Sequence, residues 1–276
     1  MSKPIPPSQR PGSPDAGRPR PVVLVTGGAR RIGRAIVLAL AGAGWDIALH
    51  CRGSRTEAEA TAADAEAAGA RAEIFQANLA DSADCEALVP AVLLRCGRLD
   101  AVVNNASLFE YDDVASFTVS AMDHHWRANT APAILLARAL HEHLVARGDG
   151  AHGCVVNLLD QKLVNPNPDY LSYTLSKAAL DTATTLLAQA LAPVLRVCGV
   201  APGVTMLSGA MSADEFARSH RMTPLERSST PEDVAQAVRF LLESPAITGS
   251  TLLVDGGQHL LPQPRDVMFL SRQSTT

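Results

Sequence analysis

Short runs of apolar residues, many of them β-branched, recur along the chain. They fall at 21–28, 45–52, 71–79, 99–107, 153–160, 195–203 and 249–257. Runs of this length that end in glycine or polar residues are typical of buried parallel strands. The pattern therefore predicts seven strands.

Segments with helical character separate these runs. They lie at 30–44, 54–70, 81–97, about 119–147, 170–192 and 231–244. The fourth is expected to bend near Pro132, and the last to begin with Thr230 as its cap and Pro231 at its first position. Residues 204–230 are predicted to be irregular or weakly helical.

Alternating strands and helices indicate an α/β fold with parallel strands. We expect one doubly wound parallel seven-stranded sheet with helices on both faces, in a single domain at 21–262. Residues 1–20, rich in Pro, Ser, Gly and Arg, are predicted to be a disordered N-terminal extension, with an organelle-targeting segment as the alternative. Residues 263–276 form a C-terminal tail that the pattern does not place.

Composition narrows the classes of function. A net charge of −4 gives no general attraction to nucleic acid or anionic membrane. No apolar run reaches the roughly 18 residues that span a bilayer. The 5 cysteines are scattered without paired spacing, which favours reduced thiols in a cytoplasmic protein over zinc or disulfides, and no metal is expected.

A glycine-rich turn, "TGGARRIGR" at 26–34, joins the first strand to the first helix. Glycines at this place let the main chain approach a pyrophosphate, and the helix N-terminus supplies N–H donors. The second strand is followed by Arg52 and Ser54 rather than by an acid that would grip a ribose. With Arg30 in the turn, this set favours NADP(H) over NAD(H). The alternatives are a turn without a ligand and arginines that are merely solvated.

Tyr173 and Lys177 lie one helical turn apart and share a helix face. A tyrosine is a poor acid–base group at neutral pH, and a neighbouring cation is expected to lower its pKa toward the working range. Such a pair alone is common in ordinary amphipathic helices. Its weight comes from the glycine-rich turn and from "NNAS" at 104–107.

Together these motifs resemble the short-chain dehydrogenase/reductase family over about residues 20–260. The resemblance also includes Asn129, "APG" at 201–203 and "DGG" at 255–257. It implies a Rossmann-type fold, in which Tyr173 is the proton donor, Lys177 binds the nicotinamide ribose and lowers the pKa of Tyr173, and Asn129 holds a water in a proton relay.

Three departures from the common family pattern are informative. Arg31 stands where the turn usually has its middle glycine, "NNAS" followed by Phe109 replaces "NNAG", and Asp160 replaces the serine thirteen residues before the tyrosine. At these three positions, and over the region 212–234, the chain resembles the pteridine reductases and dihydromonapterin reductases of that family. By this resemblance Phe109 would stack on a pterin, and Arg31 would lie near the cofactor phosphates and the pterin edge.

The resemblance implies a full set of site residues. Catalytic roles are expected for Asp160, Tyr173, Lys177 and Asn129. Cofactor contacts are expected for Gly27, Arg30, Arg31, Ile32, Gly33, His50, Arg52, Ser54, Asn78, Leu79, Asn105, Ala106, Ser107, Tyr173, Lys177, Pro202 and Gly203. Substrate contacts are expected for Arg31, Ser107, Phe109, Asp160, Tyr173 and Met206.

The expected activity is NADPH-dependent reduction of a dihydropterin, whether dihydromonapterin, dihydrobiopterin or dihydrofolate, to its tetrahydro form. A buried carboxyl group suits an imine, which accepts hydride better when it is protonated. The alternatives are a carbonyl reductase of the same fold, for example on a 3-oxoacyl group, and a non-catalytic NADP(H)-binding sensor or scaffold. The family resemblance also implies a homotetramer, and it makes Arg265 a candidate for reaching a neighbouring active site.

Overall fold

The computed structural model describes residues 20–148, 150–207 and 211–273. Its strands lie inside the predicted apolar runs but are shorter, because the glycine and polar residues at the run ends leave the hydrogen-bonded ladder. They are β1 (Val22–Val25), β2 (Asp46–Cys51), β3 (Ala72–Gln76), β4 (Ala101–Asn104), β5 (Gly153–Leu158), β6 (Leu195–Pro202) and β7 (Thr251–Val254).

The seven strands form one parallel sheet in the order β3-β2-β1-β4-β5-β6-β7. The predicted doubly wound, Rossmann-type architecture is confirmed. Strand order reverses between β1 and β4, which pair from Val23 opposite Ala101 to Val25 opposite Val103. In open sheets of this kind ligands bind beyond the carboxyl ends of the strands at such a reversal.

Helices cover both faces of the sheet. They are α1 (Arg31–Gly42), α2 (Arg55–Ala67), α3 (Ser82–Cys96), α4 (Val119–His125), α5 (Ala131–Arg147), α6 (Leu171–Leu191), α7 (Ala213–Arg221), α8 (Pro231–Glu243) and α9 (Val267–Gln273). One core layer contains α1, α2 and α8, and the other contains α3, α5 and part of α6. Alternate residues of β1 serve the two layers, with Val23 in the first and Leu24 in the second.

The predicted helix at 119–147 is interrupted. Five residues, Trp126–Thr130, form a π-helical turn between α4 and α5. The interruption lies just before Pro132, which has no N–H to donate and whose ring crowds the carbonyl four residues earlier. The prediction of a distortion at this place is therefore confirmed, in the form of a π turn. Asn129 lies within it.

Two segments are more regular than the sequence pattern indicated. The stretch 204–230 contains α7, which begins with a capping box in which Ser212 and Glu215 satisfy each other's main-chain N–H groups. The tail contains α9, which packs against α7, and the Arg218 side chain donates to the main-chain oxygen of Ser271 at 3.0 Å. The cap predicted at Thr230 for α8 is present, with Pro231 at the first helical position.

The predicted disordered extension lies outside the described residues except at its end. Arg20 donates hydrogen bonds to the carbonyl oxygens of Gly44, Ala41 and Gly69, so this one residue is held against the fold. Within the described part of the chain, every helix is too short or too polar to cross a bilayer.

Candidate active site

The glycine-rich turn between β1 and α1 is closely packed. Gly27 adopts a φ of +62°, which favours glycine. A Cβ atom on Gly33 would lie 2.1 Å from the carbonyl oxygen of Gly27 and 2.7 Å from Asn105 Nδ2. Position 33 therefore accepts only glycine in this conformation. The sequence motif reflects a real steric demand.

A small network joins this turn to the segment after β4. Asn105 Nδ2 donates to the main-chain oxygens of Thr26 and Gly27 at 2.9 and 3.1 Å. In return Thr26 Oγ1 accepts the main-chain N–H groups of Asn105 and Ala106 at 2.9 and 3.0 Å. Thr26 is buried and supports the turn through these bonds, and the sequence analysis did not single it out. Its signal was its position directly before the glycines of the turn.

His50 closes the turn from the end of β2. Its Nδ1 accepts the Gly27 N–H at 3.1 Å, which leaves the proton on Nε2 to donate to the Ala77 oxygen at 3.1 Å. Burial lowers the pKa of the imidazole, which agrees with a neutral ring in this tautomer. His50 therefore shapes the turn as well as lining the space beside it.

A cavity of about 590 Å³ opens over the turn, beyond the carboxyl ends of β1, β2 and β4. Three arginines line it, namely Arg30, Arg31 and Arg52, and no aspartate or glutamate is among its described lining residues. A cationic rim beside a helix N-terminus suits an anion with several phosphates. The predicted cofactor residues on this wall are Gly27, Arg30, Arg31, Ile32, Gly33, His50, Arg52, Ser54, Asn78, Leu79, Asn105, Ala106 and Ser107.

A second cavity, of about 290 Å³, adjoins the first at Arg31, Ile32, Asn105 and Ser107. The other four predicted cofactor residues, Tyr173, Lys177, Pro202 and Gly203, line this second cavity. All six residues predicted for the substrate lie on its wall, namely Arg31, Ser107, Phe109, Asp160, Tyr173 and Met206.

Asp160 and Tyr173 are hydrogen-bonded in the wall of this second cavity. The Tyr173 hydroxyl donates to Asp160 Oδ2 at 2.9 Å, and the Lys162 main-chain N–H donates to Asp160 Oδ1 at 2.9 Å. Asp160 follows β5 and Tyr173 lies in the first turn of α6, so residues thirteen apart in sequence meet at the carboxyl end of the sheet. The carboxyl group is thus next to the hydroxyl predicted to donate a proton.

The pKa values of both groups are raised. Burial raises the pKa of the Asp160 carboxyl, Asp266 adds to the rise, and the hydrogen bonds from Lys162 and Tyr173 oppose it. Burial also raises the pKa of Tyr173 well above 10, and the Asp160 carboxylate adds to that shift. Both shifts favour the protonated forms, which are the forms that a proton donor needs.

Lys177 lies beneath Tyr173. Its Nζ donates to the Leu158 carbonyl oxygen at 2.7 Å and is 5.8 Å from the centre of the Tyr173 ring. Burial lowers the pKa of Lys177 to about 8, with Asp160 opposing the shift. The expected lowering of the Tyr173 pKa by this cation is wrong for this structure. Desolvation and the adjacent carboxylate outweigh the effect of an ammonium group that is directed at a carbonyl.

Residues 27–259 match a family model described as enoyl-(acyl carrier protein) reductase. The chain belongs to the short-chain dehydrogenase/reductase family. A structure of FolM alternative dihydrofolate reductase 1 from Brucella canis, complexed with NADP, superimposes with a TM-score of 0.81 at 40% identity. The superposition covers 87% of this chain and 95% of that one.

Other members of the short-chain family differ in the substrates that their names give. Pteridine reductase 1 of Leishmania tarentolae is 32% identical over 87% of this chain and 96% of its own length. A 3-oxoacyl-[acyl-carrier-protein] reductase of Synechocystis sp. is also 32% identical, over 86% of this chain and 96% of its length. Overall identity to these two proteins does not separate a pterin from a carbonyl substrate.

Asn129 is placed differently from the other predicted residues of this short-chain reductase. It lies behind the cavity wall, where its Oδ1 accepts from Leu108 N at 2.7 Å and Ser107 Oγ at 3.2 Å. Its Nδ2 donates to Leu108 O at 3.0 Å and Ser176 Oγ at 2.9 Å. The side chain has used its donors and acceptors, so a relay water would have to bind its main-chain carbonyl.

Aromatic rings form one side of the second cavity, whose wall holds the residues predicted to bind substrate. Phe109 stacks on Tyr170, with ring centres 4.3 Å apart, and meets Tyr173 edge-on at 4.7 Å. Phe109 is 42% exposed and lines the cavity, so it is not a core residue. Arg31 also lines this cavity. It has a φ of +56°, the conformation that favours the glycine usual in this family, and its Nη1 donates to the Leu207 oxygen at 2.9 Å.

The N-terminus of α6 is held by a buried carboxylate. Asp112 Oδ1 accepts the Ser172 N–H at 2.9 Å, Asp112 Oδ2 accepts the Ser172 hydroxyl, and its main-chain oxygen accepts the Leu171 N–H at 3.2 Å. These contacts fix the first turn of the helix that carries Tyr173. No periodic signal in the sequence singles out Asp112, because its partner is sixty residues away.

The C-terminal segment also contributes to the second cavity. Asp266, Val267 and Met268 lie on its wall, as does Gln258 before them. Arg265, a candidate for a neighbouring active site, binds Asp169 of its own chain through Nε and Nη2 at 2.8 Å. Sequence reasoning missed these wall residues, since the tail has no motif and its position depends on packing against α7 and α6.

Proposed function

We propose that this protein uses NADPH to reduce a dihydropterin to the corresponding tetrahydropterin. The observation that carries the proposal is the 2.9 Å contact between Asp160 and Tyr173 beside the half-exposed ring of Phe109. A flat heterocycle with an imine nitrogen requires both a stacking surface and a proton donor. The similarity to a FolM dihydrofolate reductase and to a pteridine reductase supports the same assignment.

The first cavity fits NADP(H) on its own chemistry. Its arginines and its lack of acids among the described lining residues favour a phosphorylated ribose, and the tightly packed turn places main-chain donors beside it. Arg30, Arg52 and Ser54 would hold the 2′-phosphate end, and Lys177 and Tyr173 the nicotinamide end. NADPH supplies the hydride, and this chain supplies orientation and a proton.

The protein's part in the reaction is proton delivery. An imine carbon accepts hydride more readily when its nitrogen is protonated, and a nitrogen beside the Tyr173 hydroxyl can receive its proton. Asp160, hydrogen-bonded to that hydroxyl, can then return a proton to Tyr173. Lys177 lies next to the pair, with its Nζ 5.8 Å from the centre of the Tyr173 ring and hydrogen-bonded to the Leu158 carbonyl oxygen. The raised pKa values favour the protonated forms of both groups, which are the forms that a proton relay needs.

Reduction of a carbonyl, such as a 3-oxoacyl group, is the second candidate, favoured by the similarity to 3-oxoacyl-[acyl-carrier-protein] reductases. A developing alkoxide is stabilised by neutral donors or cations, and a carboxylate beside it is unfavourable. Asp160 therefore argues for the imine. A sensor or scaffold without catalysis would have no use for the Asp160–Tyr173 contact.

The test is loss of NADPH absorbance with dihydrobiopterin, dihydromonapterin, dihydrofolate and a 3-oxoacyl thioester in parallel. We expect turnover of at least one dihydropterin, with kcat lowered about 100-fold or more in Asp160→Ser. Phe240→Ala is the control for handling and folding, since this residue is exposed on α8 and is not among the described lining residues of either cavity. Turnover of the thioester alone, raised in Asp160→Ser, would refute the proposal.

We further propose a homotetramer built on α4, α5 and α6, in a cytoplasmic protein. Supporting this, α6 exposes Leu175 and Leu186 on its outer side, and Trp126 is half-exposed in the π turn. Light scattering on the purified protein measures the mass of the assembly directly, and a monomer of 29.0 kDa would contradict this proposal.

A further inference from the structure

The C-terminal segment is clamped to the body of the protein at a buried carboxylate. Arg265 approaches both oxygens of Asp169, with Nε 2.8 Å from Oδ2 and Nη2 2.8 Å from Oδ1. The Asp169 side chain is 3% exposed, and it also accepts the main-chain N–H of Asp266 at 2.7 Å. A bidentate guanidinium and a main-chain donor on one carboxylate fix residue 266 in space.

Asp266 lies against Lys162, which in turn contacts Asp160. Asp266 Oδ2 is 3.5 Å from Lys162 Nζ, and that ammonium group donates to the Asp169 carbonyl oxygen at 2.5 Å. The main-chain N–H of Lys162 donates to Asp160 Oδ1. Direct contacts therefore connect the C-terminal clamp to the proton-donor pair.

Asp160 and Asp266 are the two carboxylates among the described residues that line the substrate cavity. Two negative charges in one small cavity oppose each other's ionisation. The titratable and charged groups that face Asp160 come from several elements. Element by element, they are Tyr173 and Lys177 from α6, Lys162 from the turn after β5, Arg31 from the glycine-rich turn and Asp266 from the segment before α9, with Asp169 and Arg265 behind Lys162.

We propose that Asp266 is a positioning residue for the proton transfer, acting through its charge and through Lys162 to keep protons on Asp160 and Tyr173. The proposal rests on the proposed proton-donor role of that pair. Asp266 is thus a functional part of the site that the C-terminal segment supplies. Raised proton affinity at both members of the pair agrees with it.

Asp266 also has a structural role that the test must separate from its charge. Its Oδ1 accepts the Met268 N–H at 3.1 Å at the start of α9. Asparagine is an equally good residue for that role and has almost the same shape. Asp266→Asn therefore removes the charge and keeps the helix start. Asp214→Asn, on the exposed first turn of α7, is the matched control with the same change of charge.

The first measurement needs no substrate. Protein labelled with ¹³C at the aspartate carboxyl carbons is titrated by NMR, and the Asp160 resonance is assigned by its loss in Asp160→Asn. In Asp266→Asn we expect the Asp160 midpoint to fall by about 0.5 to 1 pH unit, with no shift in Asp214→Asn. An Asp160 midpoint equal to that of the unsubstituted protein would overturn the proposal.

The second measurement is the pH profile of dihydropterin reduction. We expect the alkaline limb of kcat to move to lower pH in Asp266→Asn, with KM for NADPH unchanged, and Asp266→Glu to restore the original limb. An equal loss at every pH would show a structural role only and overturn the proposal. If no dihydropterin turns over while the Asp160 resonance shifts as expected, the proposed substrate is wrong and the role of Asp266 is retained.

Discussion

Replacing Lys177 with methionine tests whether the site buries a positive charge at a cost to stability. Lys177 is 3% exposed, and its pKa falls from 10.5 to about 8 through desolvation. Below pH 8 both the folded and the unfolded chain carry the charge, so the full cost is present. As the pH rises from 8 to 10.5 the folded chain has already lost the proton, and the cost fades.

The magnitude follows from the two pKa values. A fall from 10.5 to 8 corresponds to about 3 kcal/mol of lost stability at neutral pH. At about pH 9.5 only about 1 kcal/mol of that cost remains. Methionine loses the hydrogen bond to the Leu158 oxygen at every pH, since neutral lysine can still make it. The change in the stability difference with pH therefore isolates the buried charge.

The assay is urea unfolding of both proteins, without cofactor, at about pH 7 and about pH 9.5. The free energy of unfolding of Lys177→Met, minus that of the unsubstituted protein, should be about 2 kcal/mol more positive at the lower pH than at the higher pH. Other titrating groups are common to both proteins and cancel to first order. A stability difference that stays the same at the two pH values would refute a buried, charged Lys177.

Three further predictions concern the walls of the two cavities. Gly33→Ala should destabilise the fold by about 2 to 3 kcal/mol and abolish NADPH binding, because its Cβ would meet the Gly27 oxygen at 2.1 Å. Gly42→Ala is the control, because the space around Gly42 is open. Equal melting temperatures for the two variants would contradict the steric argument. Arg52→Ala should raise KM for NADPH about 10- to 100-fold and leave KM for NADH unchanged, as measured by steady-state kinetics. An equal rise for both cofactors would show that Arg52 does not bind the 2′-phosphate. Phe109→Leu should raise KM for a dihydropterin about tenfold with little change in NADPH affinity, and unchanged KM for the pterin would show that the ring stacks only on Tyr170.

The sheet was predictable because its signals are local. Each strand is a short apolar run ending in glycine or polar residues, and alternation with helices leaves few arrangements for a parallel sheet. Thr230 and Pro231 correctly predicted the start of α8. The capping box of Ser212 and Glu215 carried the same kind of signal for α7.

The parts of the site that depend on tertiary packing were not predictable. Asp112 reaches Ser172 across sixty residues, and Asp266 reaches Lys162 across more than a hundred. Neither residue belongs to a motif, and each is an ordinary acid in a polar stretch until the fold brings its partner close. The predicted direction of the Tyr173 pKa shift was wrong for the same reason. The Tyr–Lys spacing suggested a neighbouring cation, whereas burial and the Asp160 contact decide the outcome.

Asp160 is the position at which sequence and structure together constrain the substrate. Had it remained ionised beside Tyr173, it would oppose the negative charge that develops on a carbonyl oxygen. Burial raises its pKa, so Asp160 holds a proton more readily than an ordinary aspartate, and in its protonated form it is a second acid next to the Tyr173 phenol. Two coupled proton donors offer most to a substrate whose reacting atom is basic before hydride arrives. An imine nitrogen meets that condition and a ketone oxygen does not, so the Asp160–Tyr173 contact favours reduction of a C=N bond.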